Sequence, residues 1–119
     1  EISVNIKQLL DITAMKTAIQ FFIGNYDFSS FRARGCQAKT PIRSINMASI
    51  EQDGKKIIFI FQAQSFLYQQ IRIMVGSLLE VGLKNKDPSW IRDLLGEKNR
   101  SLAGPTMPAK GLVLNQIEY

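Results

Sequence analysis

Hydrophobic positions along the chain change period several times, and each change marks an element. After Asp11, the run "ITAMKTAIQFFIG" places Met15, Ala18, Ile19 and Phe22 on one stripe at helical spacing. Asp11 is suited to cap the free amides and Gly24 to end the run, so a helix is predicted between them. From Asn25 to Pro41 no period is sustained, and Asp27 or Ser29 can cap no more than a short turn. "IRSINMASI" and "KKIIFIFQAQ" then flank "EQDG", which predicts a hairpin turning at Asp53-Gly54. In the second arm Ile57, Phe59 and Phe61 alternate with Ile58 and Ile60, so both faces want cover and the strand is expected to be central.

A second helix is predicted over roughly Ser65 to Leu83, with Leu67, Ile71, Met74, Val75 and Leu78 as its core stripe. "KDPSWIRDLLG" predicts a third, with Asp87 as cap, Pro88 in the first turn and Gly96 as stop. "NRSLAGPTMPAKG" is an aperiodic loop stiffened by Pro105 and Pro108, and "LVLNQIEY" closes the chain as a strand. This order implies one α+β domain, a mixed or antiparallel sheet with helices packed on one face.

One residue does not fit its surroundings. Arg72 lies inside the otherwise uncharged stretch "FLYQQIRIMVGSLL" with Ile71 and Ile73 on either side. On a helix its neighbours are Tyr68, Gln69, Val75 and Gly76, none acidic, and Glu80 lies roughly 12 Å further along the axis at about 1.5 Å per residue. Arg72 falls at the margin of the core stripe, about 100° off its axis, whereas Ile73 falls further round and away from it. The arginine therefore either snorkels to water or meets an anion supplied from elsewhere. Gly76, one turn on, costs about 1 kcal/mol relative to alanine in a helix interior and clears space for a close approach.

Composition narrows the chemistry. With 15 Lys and Arg against 10 Asp and Glu in 119 residues, the formal charge of +5 favours an anionic partner, although the same charge serves a soluble domain for colloidal reasons. Arg32, Arg34, Lys39 and Arg43 crowd into the segment that also holds Phe28 and Phe31. That grouping suits phosphate contacts and base stacking, or else the two rings are core anchors and the arginines only solvate the loop. Lys55 and Lys56 at the hairpin tip read as a solvated turn, and Lys84 and Lys86 as complements to a helix dipole. The lone Cys36 excludes an internal disulfide, fits a reducing compartment and reads as structural. The chain has no histidine, which removes the commonest general base and the usual zinc sites, and no metal is expected. Asp11, Asp27, Asp53 and Asp87 each fall where a cap or turn wants an aspartate, so no catalytic acid stands out. No uncharged apolar run reaches the ~18–20 residues of a membrane span. A cytoplasmic protein is expected, and the opening "EISVNIKQLLD" reads like a chain trimmed from a longer one.

Three stretches, "DFSSFRARGCQAKTPIRSI", "FLYQQIRIMVGSLLEVG" and "NRSLAGPTMPAKGLVL", together resemble the C-terminal half of the bacterial tRNA pseudouridine synthase A family, in its order and spacing. The resemblance implies isomerisation of uridines in the tRNA anticodon stem-loop to pseudouridine, without a cofactor, by a homodimer. In that family the nucleophilic aspartate belongs to the N-terminal half, which this sequence does not include. The arginine of the family's "MVRNIVG" pairs with it and matches Arg72 in "QIRIMVG". The leucine after the family's proline-rich loop packs on the target base and matches Leu112. The basic segments resemble the family's RNA-facing surface, which implies RNA contacts for Arg32, Arg34, Lys39, Arg43 and Lys110. Gln70 stands where the family usually has histidine, Ile73 where it has asparagine, and Met107 where it has alanine. A chain lacking the aspartate is expected to be inactive alone. A stand-alone RNA-binding module and a dimerisation domain are the rival readings.

Overall fold

The computed structural model describes residues 2–5, 10–33, 39–54, 56–67, 69–105 and 112–114, with residues 2–5 and 112–114 as backbone strands. Arg34, Cys36, Lys55, Tyr68, Met107 and Lys110, and the side chain of Leu112, lie outside this description.

The elements follow in the order β1 (Ile2–Asn5), α1 (Ile12–Ile19), β2 (Gly24–Asp27), β3 (Ile42–Asp53), β4 (Lys56–Ala63), α2 (Gln70–Gly82), α3 (Ser89–Glu97) and β5 (Leu112–Leu114). The strands form one sheet in the order β2-β3-β4-β1-β5, and every pairing is antiparallel. The fold is α+β, with β4 in the middle of the sheet as its two apolar faces require.

Helix α1 begins where the Asp11 carboxylate accepts the Ala14 amide at 3.0 Å. Its stripe is buried as expected: Met15, Ala18, Ile19 and Phe22 are all fully inaccessible. A 3-10 turn at Gln20–Phe22 continues it, and Gly24 leaves at φ +131°. A side chain there would be strained by that angle and would set its Cβ 2.8 Å from the Tyr26 ring.

The long hairpin carries a bulge between Ile45 and Met47, which lets Ile45 and Ala48 both face the helices although they are three residues apart. Ile50, Ile57, Phe59, Phe61 and Ala63 complete that buried face. Asp53 itself pairs with Lys56, so the turn lies one residue later than expected, beginning at Gly54 with φ +61°. On the other face Ile58 and Ile60 stay half-buried, and Met47 and Ile42 are exposed.

Several expectations about the elements are corrected. Gly24, expected to end the helix, and residues 25–27, read as the start of a loop, pair with β3; residues 2–5, for which no element was predicted, form a strand between β4 and β5. Helix α2 starts at Gln70 rather than Ser65, because Gln69 takes a left-handed conformation at φ 57°. Gly96 lies inside α3, and the left-handed stop is Lys98 at φ 54°. Lys84 and Lys86 lie beyond α2, whose last turn has no basic residue, and Lys86 sits over the Trp90 ring at 5.4 Å. Pro88, not Asp87, holds the N-cap position of α3, and Asp87 instead closes the turn before it, accepting the Ser89 amide at 3.2 Å and hydroxyl at 2.6 Å.

Candidate functional site

Helix α2 carries Arg72 and is buried on most of its circumference. Ile73, Met74, Val75, Gly76, Ser77 and Leu78 are all buried, while Ile71, Arg72, Leu79 and Glu80 are partly exposed. Ile73 is fully inaccessible, contrary to its expected place away from the core stripe; cover from a second direction, not a single stripe, decides its burial. The first turn is held by Gln70, also fully inaccessible, whose Oε1 accepts the Leu67 amide at 2.8 Å and whose Nε2 lies 3.4 Å from the Met74 sulfur. An uncharged amide two residues before Arg72 thus satisfies a buried backbone N–H of the segment that leads into the helix.

Arg72 is half-buried, and among the described residues nothing forms a hydrogen bond or ion pair with it. Arg92 and Asp93, both solvent-exposed and outside α2, form an ion pair at 3.7 Å. A carboxylate or phosphate reaching the guanidinium would meet a donor set that the described residues leave unused.

Gly104 comes up against the helix backbone at Gly76 and Ser77. A Cβ on Gly104 would lie 2.8 Å from Ser77 Cα and N and 2.9 Å from the Gly76 carbonyl carbon, so the loop backbone rests directly on the helix backbone. The Gly104 amide donates to Ser77 Oγ at 3.0 Å, and Arg100 Nη1 donates to the Gly104 carbonyl at 3.0 Å. The same loop is tied at its start by the buried Ser30, whose hydroxyl accepts the Asn99 amide at 2.8 Å and donates to the Leu94 carbonyl at 2.6 Å. Ser77 gives no signal in the sequence beyond a small polar residue beside Gly76 in an apolar run, whereas Ser30, which suits phosphate contacts as a hydroxyl donor, is turned inward to the backbone of Leu94 and Asn99.

Of the residues expected on an RNA-facing surface, Lys39 is exposed and Arg32 and Arg43 are half-buried. Arg43 Nη1 donates to the Thr40 and Ile42 carbonyls at 2.9 and 2.7 Å, while its buried Nε has no partner. Phe28 and Phe31 are fully inaccessible and pack with Phe22, Phe31 edge-on to it at 5.1 Å between centroids. They are core anchors, which resolves the alternatives left open by their spacing against base stacking. Burial works against the charged form of Asp27, but hydrogen bonds from the Ser29 hydroxyl (2.5 Å) and amide (2.9 Å), with the charges of Lys98 and Arg32, outweigh it and hold the carboxyl below its ordinary value. Asp11, Asp27 and Asp87 are thus all engaged in caps or turns. No group of three or more potential metal ligands occurs among the described residues, and no described helix is long and apolar enough to cross a membrane.

A family model described as tRNA pseudouridine synthase matches residues 18–119. The chain belongs to the tRNA pseudouridine synthase family. It is 44% identical over 115 residues to the tRNA pseudouridine synthase A of Buchnera aphidicola subsp. Acyrthosiphon pisum, covering 97% of this chain and 43% of that protein. Against the proteins of the same name from Mannheimia succiniciproducens and Shewanella frigidimarina it is 46% and 43% identical over 110 residues, covering 92% of this chain and 42% of each. The chain therefore spans less than half the length of these pseudouridine synthases.

Proposed function

We propose that this chain is the C-terminal half of a tRNA pseudouridine synthase acting on uridines of the anticodon stem-loop, and that Arg72 is its contribution to the active site. The observation that carries this reading is that Arg72, a half-buried residue, has a guanidinium for which the described residues offer no acceptor. A carboxylate that attacks the nucleotide or abstracts a proton must stay ionised in a site from which water is largely removed. Desolvation favours its protonated form unless a cation offsets it, and a guanidinium stays charged across the working pH range. Arg72 supplies that cation to an aspartate carried on the other half. Cleaving the glycosidic bond, turning the uracil and rejoining it through carbon 5 then releases the hydrogen of that carbon.

Leu112, placed at the start of β5 opposite Val4, is the residue that packs against the extruded base. Arg32, Arg34, Lys39, Arg43 and Lys110 hold the phosphates of the stem. The full-length protein is cytoplasmic and a homodimer and needs no cofactor.

Incubating this chain with a tRNA transcript tritiated at carbon 5 of uridine, with and without the N-terminal portion of a close relative added in trans, tests the reading. Tritium release only in the mixture is the expected result. Release by this chain alone would place the nucleophile among its own carboxylates. RNA binding without release in either case would favour an RNA-binding module.

A further inference from the structure

We infer that Tyr26 is the aromatic platform of this chain's RNA-contacting surface: its ring, held at the sheet edge beside Arg43, stacks on an unpaired base of the tRNA. The inference rests on the reading of the chain as a tRNA-binding half given above, and it adds a contact with a base to the contacts with phosphates.

Among the described residues Tyr26 is the one exposed aromatic residue, with 41% of its surface open to solvent, whereas every other described ring is buried or half-buried. Phe28 and Phe31, the rings nearest Arg32 in sequence, are taken up by the core, so a base meeting this surface finds its π face at Tyr26. The ring does not hang loose. It meets Phe28 nearly edge-to-face, at 6.2 Å between centroids and 79° between planes. It also leans back along β2 over Gly24, where the Cβ of any other residue would lie 2.8 Å from Tyr26 Cε2 and 3.2 Å from its Oη. A ring supported in this way has little conformational freedom left to lose when a base stacks on it. The basic groups stand beside it. Tyr26 pairs directly with Arg43 across the two strands, so their side chains share one face. Arg43 in turn reaches the Thr40 carbonyl with Nη1 at 2.9 Å, next to the exposed Lys39. Aromatic ring, guanidinium and ammonium thus follow one another along the β2–β3 end of the sheet. The carboxylate next in sequence, Asp27, is hydrogen-bonded to Ser29 and has the charges of Lys98 and Arg32 acting on it. Cations for the phosphates and a supported ring for a base are the two parts with which proteins hold single-stranded RNA, and the loop of a stem-loop is where unpaired bases are available.

Salt dependence and the choice of RNA separate stacking from charge and from damage to the fold. Tyr26→Leu, which keeps an apolar contact with Phe28, should weaken binding of this chain to a tRNA transcript by roughly 5- to 100-fold, the loss of one stacked base. The slope of log K against log salt should stay that of the unmodified chain, because stacking releases no counterions. On a blunt RNA duplex, whose bases are already paired and stacked, Tyr26→Leu should bind as the unmodified chain does. Tyr26→Phe, which keeps the ring, should match the unmodified chain on both RNAs. Unchanged affinity for the transcript in a folded Tyr26→Leu variant overturns the inference. So do equal losses on transcript and duplex, a flattened salt slope, or a Tyr26→Phe variant as weak as Tyr26→Leu, and each of these leaves the proposed function standing. Should Tyr26→Leu fail to fold, Tyr26→Val, with its stronger strand propensity, is held to the same pattern. Failure of the unmodified chain to bind the transcript is a different result: it removes the RNA-contacting reading, and the role of Tyr26 falls with it.

Discussion

At the scale of single residues, Arg72 and Gln70 show how differently two polar groups in one helix are treated. The amide of Gln70 is fully buried and bonded to the Leu67 backbone, whereas the guanidinium of Arg72 has no acceptor among the described residues. Arg72→Met, which keeps the apolar stem, should therefore leave denaturant stability within about 0.5 kcal/mol. The same variant should cut complemented tritium release by roughly 10²- to 10⁴-fold, the equivalent of the about 3–5 kcal/mol lost when one member of a buried ion pair is removed. Gln70→Leu should do the reverse. It orphans a buried amide and should cost about 1–3 kcal/mol in urea unfolding, whatever its effect on turnover. Equal stability losses for the two variants would show that Arg72 has an internal partner after all.

At the scale of elements, the turn between β2 and β3 is organised by Asp27 and Ser29, and its stability should respond to pH. The folded carboxyl of Asp27 sits below its ordinary value of 3.8, so its contribution is complete above that value and is lost as pH falls through the lowered folded value. Asp27→Ala should accordingly unfold at a lower urea concentration than the wild type at pH 7, and the gap should shrink as the pH is taken below 3.8. A gap that widens in acid would reverse the assignment. Elements with strong periodicity are legible in the sequence: the α1 stripe and the alternation of β4 are local patterns repeated over several residues. Strands β1 and β2, of four residues each, are not, because a short strand is defined by the neighbour it pairs with and not by its own spacing. The start of α2 and the stop of α3 escape for a related reason. Left-handed Gln69 and Lys98 take conformations that their residue types do not announce.

At the scale of the whole molecule, the +5 charge and the basic residues around the β2–β3 connection predict a binding to tRNA that weakens with salt. Lys39→Glu should lower affinity and flatten the slope of log K against log salt by about 0.7–0.9 for each phosphate no longer neutralised. A slope unchanged by the substitution would remove Lys39 from the RNA-facing surface. The sequence by itself determined the α+β class, the central place of β4, the family through three motifs in register, and the oddity of a charge without a neighbour. These depend on local spacing and on residue type, which a linear string carries in full. Tertiary structure alone decided that Phe28 and Phe31 serve the core, that Ile73 is buried, and that Gly104 rests on the backbone of Gly76 and Ser77. It also decided that Ser77 and Ser30 fasten the loop that follows α3. Each of those facts joins residues far apart in the chain, and burial and hydrogen bonding between distant segments are properties of their meeting, not of either segment alone.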